Sequence, residues 1–446
     1  MVLRKEAFQT LRLAGPIIIG ELAQMALHII DSAMVGAINY KQLAATALVI
    51  NGINIPFVFG IGMTISISQM VSMAHGRGDQ KAVSHYLFNG FVLCGLTAVV
   101  ISLSLFFGKD ILNHLGQDPE VVAYAIPFLE LIAISIIPML LFMSLKQFAD
   151  GLEYTRTAMM LSLLSMPINI FLNWLLIYGN WGFPRLELLG AGWATLITRV
   201  LIFLALLLLV LRHRNFRPYM LLRKTEWCLR LRTWKELLGI GVPTSFQIGM
   251  EAGAFAVTGI LIGTIGAVAQ AAHQIALSCA SFTFMVALGL SQAGSIRTSN
   301  AYGRLDWPKI SLIGRSTIYT AVLYGTFCAV LFVLFRFQLP QVFTKDAGVH
   351  ALAAVLLLMA GIFQISDSTQ AIGAGLLRGI KDVKTPTLLI GIAYWVIGIP
   401  SGYLFSHYLN MGAAGMWLGL ILGLTFSSVF LQTRFFNRVK KQERVG

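Results

Sequence analysis

Residues 189–211 form a long apolar run that reads LGAGWATLITRVLIFLALLLLVL. Arg199 is the one charged residue in this run. An α-helix rises about 1.5 Å per residue, so a run of this length can cross the roughly 30 Å of hydrocarbon in a bilayer. The run therefore predicts a membrane-spanning helix.

Eleven further apolar runs divide the rest of the 446-residue sequence in the same way. The composition is 57% hydrophobic and only 12% charged, with a mean hydropathy of +0.76. A soluble globular protein of this length would need many more charged residues on its surface. The sequence predicts an all-α integral membrane protein with twelve transmembrane helices. The predicted spans are residues 11–36, 43–71, 84–108, 121–146, 156–178, 189–211, 236–264, 270–296, 311–335, 349–377, 385–407 and 411–432.

The positive charges lie between the predicted spans or at their ends and fall mainly on one side of the membrane. Of the 33 Lys and Arg residues, 27 lie on the side of the two termini, five lie on the opposite side, and Arg199 lies deep within a span. The positive-inside rule therefore predicts that both termini are cytoplasmic. The basic stretch from Arg212 to Lys235 would rest against anionic lipid headgroups, and we expect no nucleic-acid partner in spite of the net charge of +14.

A short motif shows that the chain is duplicated. AHGRGD at residues 74–79 recurs as AYGRLD at residues 301–306, 227 positions later, and the same offset relates Pro16 to Pro243. The repeat predicts two six-helix bundles with pseudo-twofold symmetry about an axis along the membrane normal. The predicted organisation is an N-terminal lobe over residues 1–211, a basic cytoplasmic linker over 212–235, a C-terminal lobe over 236–432 and a basic cytoplasmic tail over 433–446.

Five carboxylates lie inside the predicted spans. An acid in the hydrocarbon region is costly, so it indicates function unless hydrogen bonds within the fold account for it. The repeat offset relates each residue of one half to a corresponding residue of the other. The residues that correspond to Asp31, Glu251 and Asp367 are not acidic, which favours function over a role in the shared fold. The intramembrane acids are Glu21, Asp31, Glu130, Glu251 and Asp367.

Polar side chains surround several of these acids at helical spacing. Gln24, His28 and Asp31 share one helical face, and Gln247 lies one turn before Glu251. Such faces should turn towards protein. The further candidates for a cavity or substrate site are Glu21, Gln274, Gln364 and Gln370. For Gln274 and its neighbours on the eighth span, hydrogen bonds between helices are the alternative.

Motifs of hydrolytic and metal enzymes are missing from the sequence. It contains no G-x-x-x-x-G-K-[ST] loop, no H-E-x-x-H and no G-x-S-x-G. Its four cysteines form no C-x-x-C pair. We therefore expect neither an enzyme nor a bound cofactor.

The sequence resembles the multidrug and toxic compound extrusion (MATE) transporters, and in particular their bacterial NorM-like branch. The resemblance covers nearly the whole chain. It rests on the motifs IIDSAMVG at residues 29–36, AHGRGD at 74–79, GVP at 241–243 followed by Glu251, and DSTQ at 367–370 leading to LRGIKD at 377–382.

The resemblance implies a secondary antiporter that exports bulky, often cationic organic compounds in exchange for Na⁺ or H⁺ by alternating access. It implies that Asp31, Glu251 and Asp367 couple the cation or proton, and that Glu251 and Asp367 hold Na⁺. Two departures leave the coupling ion open. Glu21 stands where close relatives often have Gln, and Phe363 stands where an aromatic hydroxyl is common, which makes Phe363 a further candidate for the substrate site.

The resemblance also implies a monomer in the bacterial inner membrane, with membrane lipid and small organic cations as its partners. Two alternatives remain at this stage. A flippase for lipid-linked oligosaccharide would have the same architecture but would favour cationic cavity residues. A channel or a membrane-embedded enzyme is the more distant alternative.

Overall fold

The computed structural model describes residues 2–114, 116–221 and 226–444. Within these residues, twelve helices are long and apolar enough to cross a membrane, which confirms the predicted number. They are α1 (Val2–Gly36), α2 (Tyr40–Gly76), α3 (Gln80–Phe107), α4 (Pro119–Gly151), α5 (Thr155–Tyr178), α6 (Glu187–Arg212), α7 (Leu231–Gly263), α8 (Ala267–Gly303), α9 (Trp307–Phe335), α10 (Ala347–Gly379), α11 (Lys384–His407) and α12 (Gly412–Glu443). Short helical turns at Lys109–His114, Asn180–Gly182, Arg217–Leu221 and Leu339–Phe343 lie between them.

Several helices continue beyond the apolar runs that predicted them. Helix α12 runs to Glu443 instead of ending at 432, so residues 433–443 are helical and are not a separate tail. The extension follows from the chemistry of its side chains, because Arg434 and Arg438 lie one helical turn apart and both bind Asp382. Hydropathy marks the hydrocarbon region, whereas helices extend into the interface wherever charged side chains find partners there.

The helices form two compact units. One comprises residues 1–18 and 246–446, and the other comprises residues 19–245. This division differs from the predicted lobes, because the first 18 residues group with the C-terminal half and residues 231–245 of α7 group with the N-terminal half. Each change of unit comes two residues after a proline, Pro16 in α1 and Pro243 in α7. Proline removes one backbone hydrogen bond and bends a helix, so each helix can serve both units.

The repeated motif forms the joint between consecutive helices in both halves. Gly78 has φ +73°, which glycine adopts without strain, and its counterpart Leu305 has φ +58°. The aspartates of the motif then cap the next helix: Asp79 Oδ1 accepts from Ala82 N at 2.9 Å, and Asp306 Oδ1 accepts from Lys309 N at 3.0 Å. The motif therefore marks the turn between two consecutive helices, and it occurs once in each half of the fold.

Helices α11 and α12 pack backbone against backbone. A Cβ atom on Gly419 would lie 2.3 Å from Gly402 Cα, and one on Gly415 would lie 2.5 Å from Ser406 N. The G-x-x-x-G spacing of Gly415 and Gly419 is thus used for close contact between helices. On the α11 side of this contact, residues Ile392–Gly398 are π-helical. Such a local widening of a helix is frequent at functional sites.

The basic linker packs on the N-terminal part of α3. Ser84 Oγ donates to Tyr219 O at 2.8 Å, Asn89 Nδ2 donates to Cys228 O at 3.0 Å, and Trp227 stacks on Phe88 with ring centroids 5.3 Å apart. These contacts hold the chain at both ends of the linker. Arg223 and Lys224 of the predicted linker lie outside the described residues.

Candidate functional site

Glu251 on α7 and Asp367 on α10 both lie in the C-terminal unit, near enough for their charges to interact. Tyr394, in the π-helical part of α11, donates its hydroxyl to Glu251 Oε1 at 3.3 Å. Asp367 is 3% exposed, and its Oδ1 has no hydrogen-bond partner among the described residues. The charges of the two carboxylates act on each other. One enclosed acid, one half-buried acid and a buried phenol offer hard oxygen ligands of the kind that suits Na⁺ or a shared proton.

Arg378 completes the electrostatics of this centre. It lies at the end of α10, is 8% exposed, and its charge acts on Glu251. Its Nε has no hydrogen-bond partner in the described chain. The charge of Arg378 therefore offsets part of the negative charge of Glu251.

The amides predicted near these acids are buried in the same unit. Gln364 donates through Nε2 to Thr283 Oγ1 on α8, while its Oε1 has no partner among the residues described. Gln370 is 1% exposed, and neither polar atom of its side chain has a partner in the part of the chain that the structure describes. Gln247 is also buried, at 5%. Unsatisfied buried amides cost free energy, so they indicate positions that a ligand, an ion or water would complete.

Phe363 belongs to an aromatic cluster. Its ring lies 5.8 Å from that of Phe255 and 5.6 Å from that of Trp417, both measured between ring centroids. Trp417 in turn donates to His273 Nδ1 at 3.1 Å. Phe363 itself has no hydroxyl to offer, and the aromatic hydroxyl that reaches Glu251 comes from Tyr394 on α11.

Asp31 forms a second polar centre in the N-terminal unit. Asn173 Nδ2 on α5 donates to Asp31 Oδ1 at 2.6 Å and to Asn169 Oδ1 at 2.9 Å. Both asparagines are buried, and Asn173 Oδ1 has no partner in the described residues. The charge of Arg199 acts on Asp31, although its Nη1 donates to Ser135 Oγ at 2.6 Å. Asp31 is therefore hydrogen-bonded to Asn173, which is hydrogen-bonded to Asn169 in turn. The oxygens of this group could bind a cation.

The structure does not bring the remaining candidates into these centres. Gln24 is half-buried, and His28 and Gln274 are exposed. Gln274 accepts from Ser278 Oγ at 2.8 Å only through its backbone oxygen. Among the described residues, no hydrogen bond or ion pair joins these three side chains to an acid, so their role stays a prediction.

Glu21 and Glu130 each bind a lysine. Lys146 Nζ on α4 donates to Glu21 Oε1 at 2.8 Å, and Lys109 Nζ donates to Glu130 Oε1 at 2.5 Å. The hydrogen bond to Glu130 raises the pKa of Lys109, which lies in the turn after α3. The predicted fourth span ended at Lys146, whereas α4 continues to Gly151 and Lys146 is only 4% exposed. Glu21 is thus one member of an ion pair.

Sequence reasoning missed the partners on other helices. Asn173 lies 142 residues from Asp31, and Tyr394 lies 143 residues from Glu251. The spacing of Asn169 and Asn173 by four residues within an apolar run is a usable signal, since it places two amides on one helical face. Nothing comparable marks Tyr394. Among the described residues, no group of three or more His, Cys, Asp or Glu side chains is arranged to hold a metal ion.

Comparison with known families explains the duplication. The MatE family model matches residues 16–175 and matches again at residues 243–404. The two matches begin 227 residues apart, at Pro16 and Pro243, as the repeated motif does. The chain belongs to the MatE family, the MATE transporters.

Named relatives and solved structures agree with this membership. The MATE chain is 35% identical to the probable multidrug resistance protein NorM of Rhizobium meliloti (strain 1021), over 97% of this chain and 93% of that protein. It is 32% identical to the multidrug resistance protein MdtK of Yersinia pseudotuberculosis serotype O:1b (strain IP 31758), over 96% and 95% of the two chains. A MATE crystal structure in the straight conformation matches its fold with a TM-score of 0.90, at 20% identity and over 99% and 98% of the chains. The MATE chain is a multi-pass bacterial membrane protein and a transporter, not an enzyme.

Proposed function

We propose that this chain is an antiporter that exports bulky organic cations from a bacterial cell while Na⁺ or H⁺ moves inward. Its NorM and MdtK relatives are named multidrug resistance proteins, which supports multidrug efflux and does not favour an oligosaccharide flippase. The observation that carries the coupling is the pair Glu251 and Asp367, two acids within membrane helices whose charges act on each other.

The physical basis is competition for negative charge. Two ionised carboxylates close together in a dry site repel each other, so the site gains free energy by taking up a proton, Na⁺ or an organic cation. If only one of these binds at a time, an inward ion gradient drives the cation outward. A membrane potential of 100 mV adds about 2.3 kcal/mol for each net charge moved.

The Asp31 centre supports a second binding step in the N-terminal unit. An oxygen of Asn173 is buried there without a donor among the described residues, next to a half-buried carboxylate. Carboxylate and amide oxygens are the ligands that hard cations prefer. We assign to this centre either the organic cation or a second coupling ion.

The orientation follows from the charge distribution. Of the 33 Lys and Arg residues, 27 lie on the side of the termini, and this asymmetry supports cytoplasmic termini in the inner membrane. The inward-facing state would then open towards the basic linker. The protein functions as a monomer surrounded by lipid in this proposal.

Transport driven by separate gradients tests the proposal. Purified protein in proteoliposomes is given ethidium together with an imposed Na⁺ gradient, an imposed H⁺ gradient or neither. We expect ethidium to move uphill with at least one gradient and only downhill without them. Equal downhill movement in all three conditions would contradict coupled antiport.

A further inference from the structure

The ion pair between Glu21 and Lys146 has a third, unpaired member. Asp150 lies four residues after Lys146 on α4, so the two side chains share a helical face. Asp150 is 1% exposed, and neither of its carboxylate oxygens has a hydrogen-bond partner in the described chain. Its charge interacts with those of Lys146 and Glu21. All three residues belong to the N-terminal unit.

The three side chains of this cluster differ in how exposed they are. The side chain of Glu21 is 25% exposed and that of Lys146 is 5% exposed, whereas Asp150 is almost completely enclosed. Glu21 is therefore the most accessible member of the cluster. Lys146 binds that acid and lies one helical turn before the enclosed one, and its long flexible side chain can turn from one to the other.

The repeat shows that the shared fold does not require the cluster. At the offset that relates Gly151 to Gly379, Lys146 corresponds to Ala374 and Asp150 corresponds to Arg378. At the offset of the first helices, Glu21 corresponds to Ile248. The C-terminal half thus completes the same helices without any of these three groups, and has a cation where the N-terminal half has a buried acid.

Several other titratable groups on the helices around α4 are hydrogen-bonded or exposed, and the thiol of Cys94 on α3 is buried. His75 on α2 contacts the Tyr219 hydroxyl at 3.3 Å, and His85 on α3 contacts Thr233 Oγ1 at 2.8 Å. Arg156 on α5 is exposed, and Arg199 on α6 binds Ser135. Lys146 and Glu21 are the charged groups that act on Asp150.

We propose that Glu21, Lys146 and Asp150 form a proton-release site in which an organic cation takes the place of Lys146 at Glu21. Before binding, Lys146 pairs with Glu21 and Asp150 carries a proton, because an ionised carboxylate without a donor is costly in a dry position. The cation then binds the Glu21 carboxylate, and the Lys146 ammonium turns to Asp150. Asp150 gives up its proton to the solvent and pairs with Lys146 as a carboxylate.

Charge is conserved in this exchange. One positive charge enters with the organic cation and one leaves as the proton, while Lys146 stays protonated throughout. The inference rests on the proposed function and adds to it a coupling ion, the proton, and a place in the N-terminal unit where that ion is exchanged for substrate. It is independent of the Glu251 and Asp367 centre.

Ethidium binding and proton release, measured separately, test the exchange. Purified protein in weakly buffered detergent solution receives ethidium, a pH indicator reports released protons, and dye fluorescence polarisation reports binding. Asp150→Asn resembles the protonated acid in shape, so it should bind ethidium but release one proton fewer per bound dye than the wild type. Lys146→Met should lose the same proton, which keeps the test open if one variant folds poorly.

The pH dependence of binding gives a second readout. In the wild type, one linked proton makes ethidium affinity rise about tenfold per pH unit over the range in which Asp150 is protonated. In Asp150→Asn that contribution should vanish, so the slope of log affinity against pH should fall by one. Glu130→Gln is the matched control, because Glu130 also lies on α4 and also binds a lysine; it should release protons as the wild type does.

The outcomes separate this inference from the proposed function. Reduced proton release and a flatter pH profile in Asp150→Asn, with Glu130→Gln unchanged, would support the exchange. Ethidium binding with undiminished proton release in both Asp150→Asn and Lys146→Met would overturn it while leaving antiport intact. Failure of the wild type to bind ethidium or any other organic cation would contradict the proposed function itself.

Discussion

At the scale of single residues, the intramembrane carboxylates are explained by the contacts they make. Glu130 is bound by Lys109 near the end of a helix, which is a structural arrangement. Asp367 is enclosed and keeps one oxygen without a partner in the described residues. A residue that the fold does not satisfy is the stronger candidate for binding an ion.

Neutralising the C-terminal pair should stop transport. We expect Glu251→Gln and Asp367→Asn each to reduce ethidium efflux by about tenfold or more, a change that corresponds to only about 1.4 kcal/mol. Both variants should insert into the membrane normally, because an amide is cheaper to bury than a carboxylate. Efflux from cells at matched expression measures the effect, with the exposed Glu443→Gln as the control. Normal efflux by both variants would exclude the pair as the coupling site.

Asp31→Asn should impair transport without disrupting its helix. An asparagine at this position still has an oxygen that accepts from Asn173 Nδ2, as Asp31 does at 2.6 Å, so the lost property is the charge. The measurement is efflux at several Na⁺ concentrations and pH values. Retained ion dependence with weaker substrate binding would identify Asp31 as a substrate group, and lost ion dependence would identify it as a coupling group. Unchanged efflux would argue against either role.

The sequence could predict the acids but not their partners. Hydropathy and helical spacing show that Glu21, Asp31 and Glu251 lie inside apolar helices. Which side chain faces each of them depends on how distant helices pack, and one sequence contains no record of that. Lys146 illustrates the difference: it lies at the end of a predicted span, and the sequence does not reveal that it is 4% exposed and bound to Glu21.

At the scale of helices, α1 is anchored to the C-terminal unit by its first turns. Glu6 is 4% exposed and accepts from Arg297 Nη2 and from Lys309 Nζ, both at 2.5 Å. Leu13 and Ile17 continue this attachment in the apolar core of the same unit. The anchor explains why residues 1–18 group with helices that lie more than 200 positions later in the sequence.

Removing the charge of this anchor should destabilise the protein. Glu6→Gln leaves Arg297 nearly buried without its carboxylate partner, and breaking a buried pair in this way costs about 3–5 kcal/mol. Lys309→Gln should cost much less, because Lys309 is 38% exposed and water can replace its partner. Thermal unfolding in detergent compares the two variants. Equal loss in both would show that burial of the ion pair is not what makes it important.

The glycines between α11 and α12 permit a second prediction on helices. Gly419→Ala places a methyl group 2.3 Å from Gly402 backbone atoms, which cannot rotate away, so the helices must separate. We expect a loss of about 1–3 kcal/mol, the usual cost of overpacking. Gly52→Ala in α2 is the control, since no atom lies within 4 Å of its added Cβ. A melting temperature that does not fall in Gly419→Ala would contradict the close packing.

At the scale of the whole molecule, the sequence predicts the number and pairing of the helices better than the residues at which the two units begin and end. Twelve apolar runs and one offset of 227 residues predict twelve helices in two related halves. The first part of α1 nevertheless belongs to the C-terminal unit and the first part of α7 to the N-terminal unit, because each helix changes unit shortly after a proline. Composition gives no sign of that exchange, although Pro16 and Pro243 mark where it happens.

The charge asymmetry makes a prediction for the whole molecule. If both termini are cytoplasmic, a cysteine introduced at exposed Glu443, in a background without the four native cysteines, should react with a membrane-impermeant maleimide only in inverted vesicles. A cysteine at exposed Tyr408, between α11 and α12, should react in intact cells instead. The opposite pattern would reverse the orientation and the direction of export.

Reciprocal coupling is the most direct test of an antiporter, because a binding linkage must act in both directions. Proteoliposomes without any ion gradient are given an inwardly directed ethidium gradient, and the movement of ²²Na⁺ and H⁺ across the membrane is recorded. The proposed competition predicts that ethidium entry drives Na⁺ or H⁺ outward, and that this counterflow is smaller in the Glu251→Gln, Asp367→Asn double variant than in the wild type. Ethidium entry with no counterflow above that of protein-free vesicles, or with ions moving in the same direction as the dye, would contradict it.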